Sequence, residues 1–162
     1  MATTHDPLQV VRLRLAAHGI ADTIVAFEAG THTARDAAQA VGCDVAQIAK
    51  SIVFDLGGTP LIVVAAGNHR IDKQLIATTV GATVHSVGAD YVLGHLGLAV
   101  GGVTPLAVAD DVPCLLDSAL AKFDWIWLSA GTPSHVLQLR PDDLLMLTHG
   151  RWIRVTETTT NH

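Results

Sequence analysis

Residues 51–66 read SIVFDLGGTPLIVVAA, two runs rich in Val, Ile and Leu around Gly57-Gly58-Thr59-Pro60. Branched apolar side chains suit a pleated, buried surface, and paired glycines adopt the backbone angles of a tight reversal. The stretch predicts a β-hairpin, and the rest of the fold is read outward from it.

On its N-terminal side, DVAQIAK (44–50) places Gln47 three residues after Asp44, a reciprocal capping pair. Before it, Thr33 stands three residues ahead of Asp36 at the start of an Ala-rich helix that Gly42 closes. DTIVAFEA (22–29) reads as a strand, and Pro7–His18 as a helix with Asp6 as cap and Gly19 as stop. On the C-terminal side, 72–81 and 89–97 read as helices, and 113–117, 124–129, 135–140 and 151–155 as strands. PDDLLMLTHG (141–150) has Pro and acidic residues in a helical first turn and Gly150 as its stop. Hairpins mixed with short helices predict an α+β fold, a mixed, mostly antiparallel sheet with helices packed around it. With no repeat, low-complexity run or linker, residues 1–162 read as one domain, its core at about 8–155 and its tail at 156–162.

The chain is 49% hydrophobic and 15% charged, the balance of a globular protein. No apolar stretch reaches the ~18 residues of a membrane helix, so no membrane partner is expected. The N-terminus lacks a basic start followed by an apolar block, and Cys43 and Cys114 form no CxxC pair. Two free thiols in a reducing cytoplasm is the expectation. The net charge of −5 is unlike that of a general nucleic-acid binder, and the lysines are three: Lys50, Lys73 and Lys122. Any contact with RNA is therefore expected to be local, or helped by a partner.

Three features invite chemistry. Lys50, at the start of the hairpin, shares an apolar face with Ile52 and Phe54 by period-two alternation. Such a lysine either snorkels to water or projects into a cleft as a partly desolvated cation. Second, LAVGGVTPLAV (98–108) interrupts an apolar run with Gly101, Gly102, Thr104 and Pro105. Bare glycines allow a ligand to reach backbone N–H groups, which can form a small nest; a tight turn or bulge is the alternative. The loop is neither a P-loop nor a GxGxxG fingerprint. Third, nine histidines (5, 18, 32, 69, 85, 95, 135, 149 and 162) form no HxxxH or HxH pair, so no metal is expected. Ser51, Ser86, Ser118, Ser129 and Ser134 lack a nucleophile-elbow context.

Lys50-Ser51 followed by the hairpin, then ADYVLGHLGLAVGGVTPLAV, LLDSAL and WIWLSAG, in this order, resemble the YbaK/prolyl-tRNA synthetase-associated domain family. The resemblance runs from about Leu8 to Val155. It implies a cofactor-free aminoacyl-tRNA deacylase, acting in trans on a mischarged small amino acid of the Ala, Cys, Ser or 2-aminobutyrate class, above all on tRNA for proline. The partners implied are the acceptor end of mischarged tRNA and a synthetase or elongation factor that presents it. Lys50 falls on the family's key lysine and Ser51 on the hydroxyl residue beside it. Gly101, Gly102, Thr104 and Pro105 fall on the glycine–proline loop, and Ser129 and Gly131 on the Ser-x-Gly at the pocket. Asp117 matches an aspartate read as structural. Thr31, His32 and Thr33 lie in the segment that caps the pocket in relatives, and His135 lies near a histidine of alanine-specific members. Where cysteine-specific members continue the loop with a basic pair, this chain has LAVADD. That acidic turn leaves a second reading open, a non-catalytic binding module for aminoacyl-tRNA or a synthetase. A metal- or nucleotide-dependent hydrolase is suggested by the histidines and glycines alone.

Overall fold

The structure, a computed structural model, describes residues 6–27 and 33–156. The hairpin forms as read: β2 (Ile48–Asp55) and β3 (Pro60–Ala66) pair antiparallel, Lys50 opposite Ala65 and Ile52 opposite Val63. Its turn is fixed by Asp55, whose carboxylate accepts from the N–H groups of Gly57 and Gly58, both at positive φ.

Among the described residues, five helices form at the expected places: α1 (Pro7–Ala17), α2 (Ala34–Val41), α3 (Lys73–Val80), α4 (Ala89–Leu96) and α5 (Pro141–Thr148). Local chemistry starts several of them. The Thr33 hydroxyl accepts from Asp36 N–H at the head of α2, and Asp72 accepts from Gln74 and Leu75 N–H at the head of α3. Asp44 and Gln47 form the reciprocal cap, around a 3-10 turn at Val45–Gln47. One stop differs from expectation: α5 ends on His149 in the left-handed region (φ 54°), one residue before Gly150.

The remaining strands are β1 (Val25–Ala26), β4 (His85–Ser86), β5 (Cys114–Asp117), β6 (Ile126–Thr132), β7 (His135–Leu139) and β8 (Arg151–Ile153). Of the strand expected over 22–29, residues 28 and 29 lie outside the described residues and the rest pairs as a strand only at Val25–Ala26; β4 has no counterpart in the sequence reading. All belong to one mixed sheet, ordered β1-β7-β6-β2-β3-β5-β8, with β4 also on β2. Pairings β1–β7, β6–β7, β2–β3 and β2–β4 are antiparallel; β2–β6, β3–β5 and β5–β8 are parallel.

The sheet buries both faces, so β3 reads as a continuous apolar run, with Leu61–Ala65 wholly inaccessible. One face (Ala49, Val53, Ile62, Val64, Leu116, Leu128) meets α1, α4, α5 and the 3-10 turn at Pro105–Ala107 in the main core. The opposite face carries two smaller cores. One packs Phe54, Leu61, Val63 and Leu115 against Ile76 of α3; the other packs Ile48 and Trp127 with Ala37 and Ala38 of α2. Lys50 and Ile52 lie on this face between the two covers.

Candidate functional site

The sheet splits at the strand that carries Lys50. β6 pairs with β2 only at Ile48–Trp127 and Ala49–Leu128, and β4 joins the same edge only at Phe54 and Asp55. Residues 50–53 therefore have no strand on that edge among the described residues. Gly67 N–H donates to the Ile48 carbonyl at 2.7 Å, which orients the even-numbered main-chain groups of β2 toward β3. By alternation, the N–H and C=O of Ser51 face the split.

A cavity of about 460 Å³ occupies this place. Its walls include Lys50, Ser51, Gly101, Ser129 and His135, five of the residues singled out in the sequence. Ala34, Ala37 and Val41 of α2 close one side, Val87, Val92 and Val103 another, and Trp127 and Val136 a third. Thr33 stands at the rim. Thr31 and His32 lie outside the described residues.

Lys50 is partly buried. Burial first, and the Arg70 guanidinium second, hold its ammonium below its usual pKa of 10.5, while the Asp117 carboxylate pulls the other way. The Ser51 hydroxyl oxygen is shut off from water and has no hydrogen-bond partner among the described residues. Leaving such a group unmatched costs about 1–3 kcal/mol, a cost that a ligand would relieve. His135 Nδ1 lies 2.6 Å from Thr132 Oγ1, which itself accepts from Ser134 N–H. The two atoms share one hydrogen bond, whose donor follows from the tautomer of the ring.

The glycine–proline loop divides. Gly101 lines the cavity at φ 94°, an angle that favours glycine. The expectation of two free amides is corrected at Gly102, whose N–H donates to the Ala99 carbonyl at 2.8 Å. Its missing side chain serves packing instead, against the backbone of Thr132 and Gly131. Thr104 and Pro105, expected at the substrate, do not line the cavity. Thr104 is fully buried and caps the following 3-10 turn by accepting from Leu106 N–H, and Pro105 begins that turn. Gly131, also expected there, is buried against Pro7 and Leu8 at the head of α1, where a Cβ would meet the Pro7 Cβ at 2.8 Å. Ser129 lines the cavity, but its hydroxyl accepts from Gly131 N–H and donates to the Thr132 carbonyl, holding a bulge.

Asp117 has the structural surroundings read from the sequence. It is 1% exposed; Oδ2 accepts from Ala66 N–H and lies 2.7 Å from His69 Nδ1, while Oδ1 accepts from Ala119 N–H. Its histidine partner was not anticipated, because the two are 48 residues apart with no motif between them. Thr132, three residues before His135, was missed although the spacing is local. No group of three or more metal-ligating side chains occurs among the described residues. Nor is any described helix long and apolar enough to cross a membrane.

Residues 28–147 match the model of the aminoacyl-tRNA editing domain, and the chain belongs to that family. A solved structure of a candidate trans-editing enzyme for prolyl tRNA synthetase superposes with a TM-score of 0.87 at 30% identity, over 96% of this chain and all of that one. The uncharacterized protein YwhH of Bacillus subtilis is 29% identical over 150 residues, 91% of this chain and 96% of the relative. EbsC of Enterococcus faecalis, named as a candidate Cys-tRNA(Pro)/Cys-tRNA(Cys) deacylase, is 25% identical over 129 residues, covering 76% of this chain and 77% of its own length. The fold of the family, a mixed α/β sheet with packed helices, is the fold described above.

Proposed function

We propose that this protein hydrolyses the ester between a mischarged small amino acid and the 3′ end of a tRNA, acting in trans, with tRNA for proline as the foremost candidate. The observation that carries the reading is the convergence of Lys50, Ser51, Gly101 and His135 on one cavity at the split of the sheet. An aminoacyl ester is already activated, so the protein needs to position it and stabilise negative charge more than to supply a nucleophile. The N–H and C=O of Ser51 and the N–H of Gly101 complement the α-amine and carbonyl of an aminoacyl group. Lys50 offers the charge for the terminal ribose–phosphate, and the His135 imidazole a polar side chain beside the reacting ester.

In the reaction, a water oxygen adds to the ester carbon and the bond to the ribose oxygen breaks. That oxygen takes a proton, and the amino acid leaves as its carboxylic acid, ionised in water. The terminal 2′-hydroxyl, or the thiol of a cysteinyl substrate, is placed to assist the attacking water, since neither Ser51 nor Ser129 hydrogen-bonds a basic side chain among the described residues. Selectivity is steric, set by the α2 wall of Ala34, Ala37 and Val41.

Alanyl-, cysteinyl-, seryl- and 2-aminobutyryl-tRNA form the test panel. At least one is expected to be deacylated, and Lys50→Ala to slow that reaction by about 10- to 100-fold, the loss of one hydrogen bond to a charged group. Equal rates for the two proteins on every substrate hydrolysed would remove Lys50 from the mechanism. A second reading, a binding module without chemistry, is favoured by the acidic LAVADD and the engaged amide of Gly102. It requires binding of aminoacyl-tRNA with no deacylation across the panel.

A further inference from the structure

Behind the cavity, on the face of the sheet between α2 and α3, lies a second cleft of about 350 Å³. It is lined by Lys50, Ile52, Phe54, Arg70, Ile71, Lys73 and Ser86, and it shares Lys50 and Ile52 with the cavity. Three of the chain's ten Lys and Arg residues thus line one recess of a protein whose net charge is −5, and no carboxylate among the described residues lines it. None of the three takes part in an ion pair among the described residues. Lys73 Nζ instead donates to Ser86 Oγ at 3.1 Å. The nearby acids are turned elsewhere. Asp72 accepts from the first N–H groups of α3, and Asp117 from Ala66 and Ala119 while contacting His69. Burial first, and the Arg70 guanidinium second, hold the Lys50 pKa down against the pull of Asp117, so Arg70 is close enough for Lys50 to feel its charge.

Unpaired cations gathered in a recess repel one another, and they are retained where an anion comes to them. We infer that this cleft is a phosphate site that holds the phosphodiester backbone of the single-stranded RNA end while its esterified terminus occupies the adjoining cavity. The inference rests on the deacylase reading and deepens it. Lys50, on the shared wall, is the hinge between the two compartments, and Arg70 and Lys73 extend the grip away from the ester. Arg70 offers a planar fork of donors for phosphate oxygens, and Lys73 a point charge. The chain is acidic overall, with a net charge of −5, so binding is expected to be local, at this cleft.

The test measures binding of an uncharged CCA-ended RNA microhelix by fluorescence anisotropy over a salt series. The proteins are the wild type, Arg70→Gln, Lys73→Gln and Lys122→Gln, with deacylation scored separately on each. Arg70 and Lys73 are exposed, so their replacement leaves the core untouched. Each of the two is expected to weaken binding and to lower the slope of log K against log salt by about 0.7, the value for one phosphate contact on a single strand. Lys122→Gln, on the 3-10 turn at Ser118–Lys122, is expected to leave the slope unchanged. Wild-type slopes in both cleft variants, an equal loss in Lys122→Gln, or no RNA binding by the wild type would each overturn the inference. So would displacement that shows inorganic phosphate binding in place of the RNA. Wild-type slopes alongside intact deacylation would leave the deacylase reading standing. A lowered slope in a protein that deacylates nothing would remove that reading and keep the cleft.

Discussion

A Cβ on Gly102 would stand 2.8 Å from the Thr132 Cα and 2.9 Å from the Gly131 carbonyl oxygen, both main-chain atoms that cannot swing aside. Gly102→Ala is therefore expected to destabilise the protein by about 1–3 kcal/mol, as overpacking does, and to show this as a lowered Tm. Asp117→Ala removes the acceptor from two peptide N–H groups and from His69. It is expected to cost at least about 2 kcal/mol, because buried donors then lack partners; a Tm equal to wild type would refute the structural role. Much at this scale was legible in the sequence. An isolated lysine on an apolar face and a glycine amid apolar neighbours stand out because each is costly without a purpose, and Lys50 and Gly101 do meet at the cavity. Thr104, Pro105 and Gly131 were misplaced because a cap, a turn start and a close-packed glycine use the same residue types as a ligand loop. Only the neighbours across the fold tell them apart.

Among the elements, α2 forms one wall of the cavity, and its start is capped by the Thr33 hydroxyl, which accepts from Asp36 N–H. Thr33→Ala is expected to cost about 1 kcal/mol of local helix stability. The open form of α2 becomes about fivefold more populated, and tryptic cleavage after the exposed Arg35 accelerates in proportion. An unchanged cleavage rate would mean that the wall is held by packing alone. The helices and the hairpin were readable because their signals are local: capping pairs, turn glycines, a change of period. The parallel pairing of β2 with β6 was not, since it joins residues nearly eighty positions apart and local periodicity carries no register between distant strands. β4 escaped because two residues are too few for any alternation to show.

For the molecule as a whole, burial pushes the Cys114 thiol from 9.0 up to about 12, opposed in part by its bond with Thr148. The unfolded chain therefore releases this proton from about pH 9 while the folded chain keeps it. The unfolded state then binds fewer protons, so stability falls as pH rises, by at most about 1.4 kcal/mol per pH unit in the window from 9 to 12. Tyr91, likewise pushed up to about 12 by burial and then by its bond to Asp55, adds to the decline above pH 10. Denaturant unfolding at a series of alkaline pH values is expected to show this slope, and Cys114→Ala to flatten it while leaving the Tyr91 part. An identical slope in the variant would refute the assignment.

The gap beside Ser51 has a consequence for chemistry made to fit this fold. An unpaired main-chain edge usually invites another polypeptide, yet this one is recessed within the sheet, flanked by β6 and β4. Among the described residues the open edge is only the four positions 50–53 long, so it suits a short main-chain-like ligand better than a full strand. A short peptidomimetic, with an amide spaced to match Ser51 and a small side group turned toward α2, is the scaffold from which a selective inhibitor of this protein should be built.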